Sequence, residues 1–165
     1  MPHPRTRKNK TNTSNKPCSD AVHQIDTSFL RSQVGYNARR AALHIIDVVV
    51  QRLAGYDFKV VEMSVLSLLA HNSGLTSRHV CAALNIMPPN LVGLVARLER
   101  RALIERRPHP SDGRAIGLYP TEAGMKLITD VEGIIAQAEI DATSRLTTTE
   151  RQTLIALLQK VYDKD

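Results

Sequence analysis

Between positions 78 and 114 the chain carries seven arginines against three acids, Glu99, Glu105 and Asp112. Clustered cations of this kind are the electrostatic footprint of a nucleic-acid surface. One of them, Arg114, closes the pentapeptide Pro110-Ser111-Asp112-Gly113-Arg114, set between the apolar runs 102–104 and 115–118. Asp-Gly between two such runs is a strong hairpin signal, so Asp112 and Gly113 are expected to make the turn and Arg114 to start the returning strand. A guanidinium at a hairpin tip suits a narrow A·T-rich minor groove, where the negative potential is enhanced. Asp112 would repel phosphate unless its charge is used internally. Its expected role is to orient Arg114 or a recognition-helix arginine through a charge-assisted hydrogen bond.

Upstream of the finger, Asn90 is the best base reader, because its amide can pair with N6 and N7 of adenine. Pro89 and Val92 suit thymine methyl groups, and Gly93 lets a helix backbone come close. Arg97, Arg100 and Arg101 are expected on phosphate, as are Arg78 and His79 at a helix start, and Arg107 is a further candidate DNA contact.

These residues need a scaffold, and hydrophobic periodicity supplies one. Apolar residues recur at helical spacing over 26–53 (Val34, Ala38, Ala41, Ala42, Ile45, Ile46, Val49, Leu53), which predicts one long helix ended by Gly55-Tyr56-Asp57. A second helix follows over 60–70 with Val61, Val65, Leu68 and Leu69 inward. Thr76 or Ser77 caps a third that runs to Leu84. Pro88-Pro89 starts a fourth, which runs to Arg101 and buries Leu91, Leu94, Val95 and Leu98. Beyond the hairpin, Thr121 caps a fifth helix whose inner face is Leu127, Ile128, Val131, Ile134, Ile135 and Ala138. Thr147 and Glu150 open a sixth at capping-box spacing, with Leu154, Ile155, Leu158 and Val161 inward.

The fold class expected from this order is mainly α with a small β-hairpin wing: a winged helix-turn-helix at 57–122, flanked by long dimerisation helices in 21–56 and 123–165. Terminal helices too long for a small central domain to cover usually find another chain, so a symmetric homodimer is expected on a pseudo-palindromic operator in double-stranded DNA.

The net charge of +6 is unevenly placed. Residues 1–17 carry five cations and no acid, the arginine-rich segment 78–114 is net +4, and the remainder is net −3. The first twenty residues are expected to be a disordered basic arm, either a solubilising terminus or a minor-groove or backbone-gripping extension. With 165 residues, 42% of them hydrophobic, the chain fills one ordinary core. No apolar stretch suits a membrane span and no signal peptide is visible, so a cytoplasmic protein is expected. Cys18 and Cys81 point to a reducing compartment, with Cys81 a buried small hydrophobe. The six histidines form no H-x-x-x-H pair and there is no C-x-x-C, so no metal or other cofactor is expected. No phosphate loop or nucleophile elbow argues for an enzyme.

The block Leu91-Val92-Gly93-Leu94-Val95-Ala96-Arg97-Leu98-Glu99-Arg100-Arg101-Ala102-Leu103-Ile104-Glu105-Arg106-Arg107, then Pro110 through Arg114, then Tyr119-Pro120-Thr121-Glu122-Ala123-Gly124, resembles the multiple antibiotic resistance regulator (MarR) family. The resemblance spans about residues 28–162 and implies a dimeric winged-helix regulator of transcription, a repressor released by a small molecule. Three departures qualify it. Ala102 replaces the usual glycine, which implies a different helix cap; Gly93 leaves the groove-facing surface bare; and Pro120 replaces leucine and should end the second wing strand sharply.

Within that family, Gly35-Tyr36-Asn37-Ala38-Arg39-Arg40-Ala41 looks like the subgroup that responds to aromatic acids or their coenzyme A thioesters. Tyr36, Arg39, Arg40 and His44 are then candidates for an anionic aromatic effector, in a cleft walled by the second and fifth helices. The other reading makes Arg39 and Arg40 interface ion pairs and His44 a core or interface histidine. A competing function is a winged-helix protein-interaction module without DNA readout.

Overall fold

The computed structural model describes residues 25–110 and 112–163, apart from the side chains of Asp112 and Gly113. The basic arm and Cys18 lie outside the described residues. The chain divides into two compact units, residues 1–38 and 39–165, with the boundary inside a helix.

In the first unit, the single long helix expected over 26–53 is interrupted. Helix α1 (Ser28–Arg31) is separate from α2 (Val34–Arg52). Polar side chains near the break take over carbonyls: the Ser32 hydroxyl donates to the Phe29 carbonyl at 2.7 Å, and Asn37 Nδ2 donates to the carbonyls of Arg31 and Gln33 at 2.7 and 2.8 Å. Side chains that offer the backbone local partners compete with the helical ladder, and apolar periodicity does not register them.

In the second unit, α2 ends in a short 3-10 turn over Ala54–Tyr56, after which Asp57 adopts a left-handed conformation. There follow α3 (Val60–His71), β1 (Leu75–Thr76), α4 (Ser77–Leu84), α5 (Pro88–Arg100), β2 (Ile104–His109), β3 (Asp112–Pro120), α6 (Glu122–Ala142) and α7 (Thr148–Tyr162). The wing is a three-stranded antiparallel sheet in the order β1-β3-β2, not a bare hairpin. Its extra strand is only two residues long, Leu75 opposite Leu118 and Thr76 opposite Gly117.

The α3-to-wing core is closed by Val65, Leu66, Leu69, Val80, Leu91, Val95, Leu98, Leu118 and Ile128. A second cluster joins Val49 of α2 and Leu53, just after it, to Val131 and Ala138 of α6. The inner face of α3 is rotated from the expected one. Leu66 and Glu62 are buried, whereas Val61 is exposed.

Local caps set the boundaries. Thr76 Oγ1 accepts from the His79 N–H, Thr121 Oγ1 from the Gly124 N–H, and Thr147 Oγ1 from the Glu150 N–H. Thr121 Oγ1 also donates to the Ala102 carbonyl at 2.6 Å, which ties the start of α6 to the end of α5. At this junction a Cβ on Gly124 would lie 2.0 Å from the Leu103 carbonyl oxygen, so only glycine fits.

The expected different cap on α5 is corrected. Ala102 takes φ +53°, its N–H donates to the Glu99 carbonyl, and the Leu103 N–H donates to the Leu98 carbonyl. This is the Schellman pattern that glycine usually completes, with Leu103 and Leu98 both in the core beside it. Helix α7 differs from expectation more sharply. None of its residues is buried in the single chain, and Leu154, Ile155, Leu158 and Val161 are all exposed.

Candidate nucleic-acid interface

Helices α4 and α5 meet at a bend of 113° across a three-residue turn, the geometry of a helix-turn-helix. Proline at the first positions of α5 fixes where that helix begins. Leu91, Val95 and Leu98 anchor its inner face in the core, so Pro89, Gly93 and Arg100 point outward with Val92 and Asn90 to either side.

The reversal in the wing is not at Asp112-Gly113. Both residues belong to β3, and His109 pairs with Asp112, so the chain reverses before Asp112. Proline suits the first position of such a turn because its φ is preset, and Pro110 outweighs the Asp-Gly cue. The register is irregular between Pro108, opposite Ile116, and His109, opposite Asp112, so Arg114 sits at a bulge, where strands commonly re-aim side chains. Arg114 is exposed. The expected work of the Asp112 carboxylate concerns a side chain outside the described residues. Pro120 ends β3, as expected.

The arginines separate into two groups. Arg97, expected on phosphate, faces Glu62 instead. Its Nε lies 2.7 Å from Glu62 Oε1, out of line for a hydrogen bond to that otherwise unpartnered oxygen, and its terminal nitrogen donates to Oε2 at 3.3 Å. Glu62 is only 1% exposed and also accepts from the Lys59 N–H at 3.1 Å, so one carboxylate caps α3 and holds α5 against it.

Arg101, likewise expected on phosphate, donates to the carbonyls of Asp57 and Tyr56 and stacks 5.1 Å from the centre of the Phe58 ring. Arg106 forms a two-pronged bond to Glu99, at 2.7 and 3.2 Å, which raises its pKa above the ordinary arginine value. Arg107 binds Glu105 and lies 5.3 Å from the centre of the Tyr119 ring. Arg78, Arg100 and Arg114 are exposed, as are Arg106 and Arg107. His79 is exposed too, but its Nδ1 accepts from the Thr76 N–H at 3.3 Å and completes the cap of α4.

Cys81 is half-buried and lines a hollow of 280 Å³ between α4, α5 and β2, with Arg78, Val92 and Arg106 on its walls. No group of three or more His, Cys, Asp or Glu side chains among the described residues could hold a metal ion. No single helix among them is long and apolar enough to cross a membrane.

The MarR family profile matches residues 56–115, the stretch from the end of α2 to the wing. That stretch is a MarR-family domain. The protein is a DNA-binding regulator of transcription of the MarR type. The chain is 25% identical over 160 residues, 96% of its length and 94% of the other's, to a protein assigned to regulation of the hcr operon of Thauera aromatica. It superposes on the transcriptional repressor CouR bound to a 23-mer DNA duplex with a TM-score of 0.78, at 27% identity over 85% of this chain and 99% of that one. CouR from Rhodococcus jostii RHA1 has also been solved with p-coumaroyl-CoA. Bordetella bronchiseptica BpsR, whose DNA binding is regulated by 6-hydroxynicotinic acid, matches with a TM-score of 0.74, at 25% identity over 81% and 96% of the two chains.

The candidate effector residues are less gathered than the wing. Tyr36 is half-buried on the part of α2 that belongs to the first unit. In the second unit Arg39, Arg40 and His44 are exposed. Arg40 and His44 border a 380 Å³ hollow along α2 with Leu43 and Asp47. His44 also lines a 720 Å³ cavity with Ala41, Ile45, Val48, the segment 141–146 and Leu154. Its walls are α2, the end of α6 and α7; α3, the expected second wall, lines none of it. Arg145, which sequence reasoning passed over, is the guanidinium at this cavity. It stands in a helix connection without periodicity, so no pattern singled it out.

Proposed function

We propose that the chain is a homodimeric repressor that grips a pseudo-palindromic operator through α5 and the wing, and that an anionic aromatic small molecule releases it. In this reading residues 57–122 form the reading domain, and 21–56 with 123–165 form the dimerisation region. The observation that carries it is the division among the arginines. Internal partners hold Arg97, Arg101, Arg106 and Arg107, while Arg78 and Arg100 stand exposed at the start of α4 and the end of α5.

Arg114 enters the minor groove, Asn90 reads adenine, and Arg78 and Arg100 take phosphate. Arg114→Ala is expected to weaken operator binding tenfold or more in a mobility-shift titration while leaving the helical content unchanged. Unchanged affinity removes the wing from the reading.

The effector class is supported by the aromatic molecules bound by the two solved relatives, and by His44 and Arg145 at an apolar cavity. Release follows from a shift in dimer geometry that takes the two reading heads out of register with the half-sites. A thermal-shift screen of aromatic acids and acyl-coenzyme A thioesters tests this, because a ligand specific to the native state raises its melting temperature.

One observation favours a second reading, a protein-interaction module: Met87 and Val92 are two-thirds exposed beside the recognition helix. The salt dependence of DNA affinity separates the two, since phosphate contacts make it steep.

A further inference from the structure

From Met87 to Ala96 the sequence Met-Pro-Pro-Asn-Leu-Val-Gly-Leu-Val-Ala contains no charged residue, and Asn90 is its sole side chain with hydrogen-bonding groups. Leu91 and Val95 are buried, but Val92 is 66% and Met87 67% exposed, and Pro89 is exposed as well. Exposed apolar groups on the first turns of a recognition helix, with Arg78 and Arg100 nearby, have one complement in DNA. The C5 methyl of thymine is the apolar feature of the major groove.

Gly93 adds an independent observation. A glycine inside a helix lowers its stability relative to alanine, yet nothing in the chain lies within 4 Å of where a Cβ would stand on Gly93. The fold does not require the missing side chain. The bare backbone leaves that face open to close approach by a surface from outside.

We infer that Val92, with Pro89 beside it, recognises thymine methyl groups in the major groove, and that Gly93 is bare so that the helix can seat against them. This rests on the reading of the chain as a DNA-binding regulator and names how that site tells one sequence from another. Sequence preference at those positions then depends on an apolar contact, with Asn90 supplying the polar one.

The test separates the groove contact from every other contribution. Replacing thymidine by deoxyuridine removes the methyl group and leaves the phosphates and the minor-groove edge of the base unchanged, so Arg114 is not disturbed. The full chain is used to select a duplex from a randomised library. Each thymine of the selected half-site is then replaced by deoxyuridine in turn, and binding is measured with the wild type, Val92→Ala and Gly93→Ala. At one or two thymines the wild type is expected to lose about three- to fivefold in affinity, the scale of one buried methyl group. Val92→Ala should bind more weakly and show no further loss at the same thymine, as a double-mutant cycle requires of a direct contact. Gly93→Ala should melt higher and yet bind more weakly, which a purely structural glycine would not do.

Selection of a defined sequence that is indifferent to deoxyuridine at every thymine overturns the inference and leaves the regulator reading standing. Full sensitivity retained by Val92→Ala removes Val92 from the contact. Failure to select any sequence, with weak salt dependence, overturns both readings together and turns the apolar face toward a protein partner.

Discussion

Along the inner face of α5, Leu91, Val95 and Leu98 are each about fully buried, whereas along α7 Ile155 is 50% and Val161 73% exposed. Both helices are amphipathic by sequence; α5 begins at Pro88-Pro89, and α7 at the Thr147–Glu150 capping box. The difference lies in what one chain can place opposite them. Helix α5 is met by α3, α4 and the wing; its Arg97 pairs with Glu62 of α3, and its Glu99 with Arg106 of β2. Helix α7 is held near α6 by the Arg151 bond to the Thr143 hydroxyl at 2.8 Å, but its apolar row faces outward. A closed reading domain and an open helix in the same chain are what a regulator needs if its reading heads are rigid and its assembly comes from a second copy.

The largest expected effect breaks the closed half at the joint between α5, the wing and α6. Gly124→Ala puts a Cβ against the Leu103 carbonyl, and Thr121 pins the same turn to Ala102, so neither side can yield cheaply. The loss should be at least about 3 kcal/mol, measured by urea denaturation. A loss below about 1 kcal/mol would mean that the joint is loose and the contrast with α7 overstated.

Next in size, Arg97→Ala strands the buried Glu62 carboxylate and should cost roughly 2–3 kcal/mol of stability, less than for a fully buried pair because Arg97 keeps some access to water. Arg100→Ala should leave the melting temperature within a degree or two, yet lower the salt slope of DNA binding by about 1. If Arg97 instead changes the salt slope and Arg100 the stability, the division between scaffold and displayed arginines is wrong.

The open half is tested by Ile155→Glu. In an isolated chain this half-exposed position tolerates a charge at little cost. If a second copy covers it, the loss is about 2 kcal/mol per protomer, and sedimentation shows the species at half its former mass. A native mass unchanged by Ile155→Glu would leave α7 outside the interface.

These contrasts also mark what could be read without coordinates. The caps at Thr76, Thr121 and Thr147 and the inner faces of α5 and α6 were legible because they depend on neighbours a few residues away. The split between α1 and α2 was hidden because Asn37 acts through carbonyls that hydrophobic spacing ignores. Glu62 reads in sequence as an ordinary acid in a first helical turn; its burial depends on Arg97, thirty-five residues on, and no local pattern carries that. The arginine cluster was legible as a field and not as individuals, since Glu99 meets Arg106 only once β2 lies beside α5. The row on α7 was legible as apolar, and the single chain leaves it exposed.

The smallest expected effect concerns Ala102, where local chemistry and tertiary demand disagree. A left-handed φ of +53° places the alanine Cβ close to its own carbonyl, at roughly 1 kcal/mol. The Schellman bonds to Glu99 and Leu98 and the Thr121 bond to the Ala102 carbonyl hold the residue there all the same, because moving it would unseat Leu103 and the start of β2. Ala102→Gly relieves the crowding but gives the unfolded chain more freedom, and the two effects partly cancel. A net gain of about 0.5–1 kcal/mol is expected in denaturant titration, with operator affinity unchanged, since the substitution alters no group on the outward face of α5. Destabilisation would show that the methyl group packs favourably enough to offset the strain, and that the closed half of the molecule has no slack even at its least favourable backbone position.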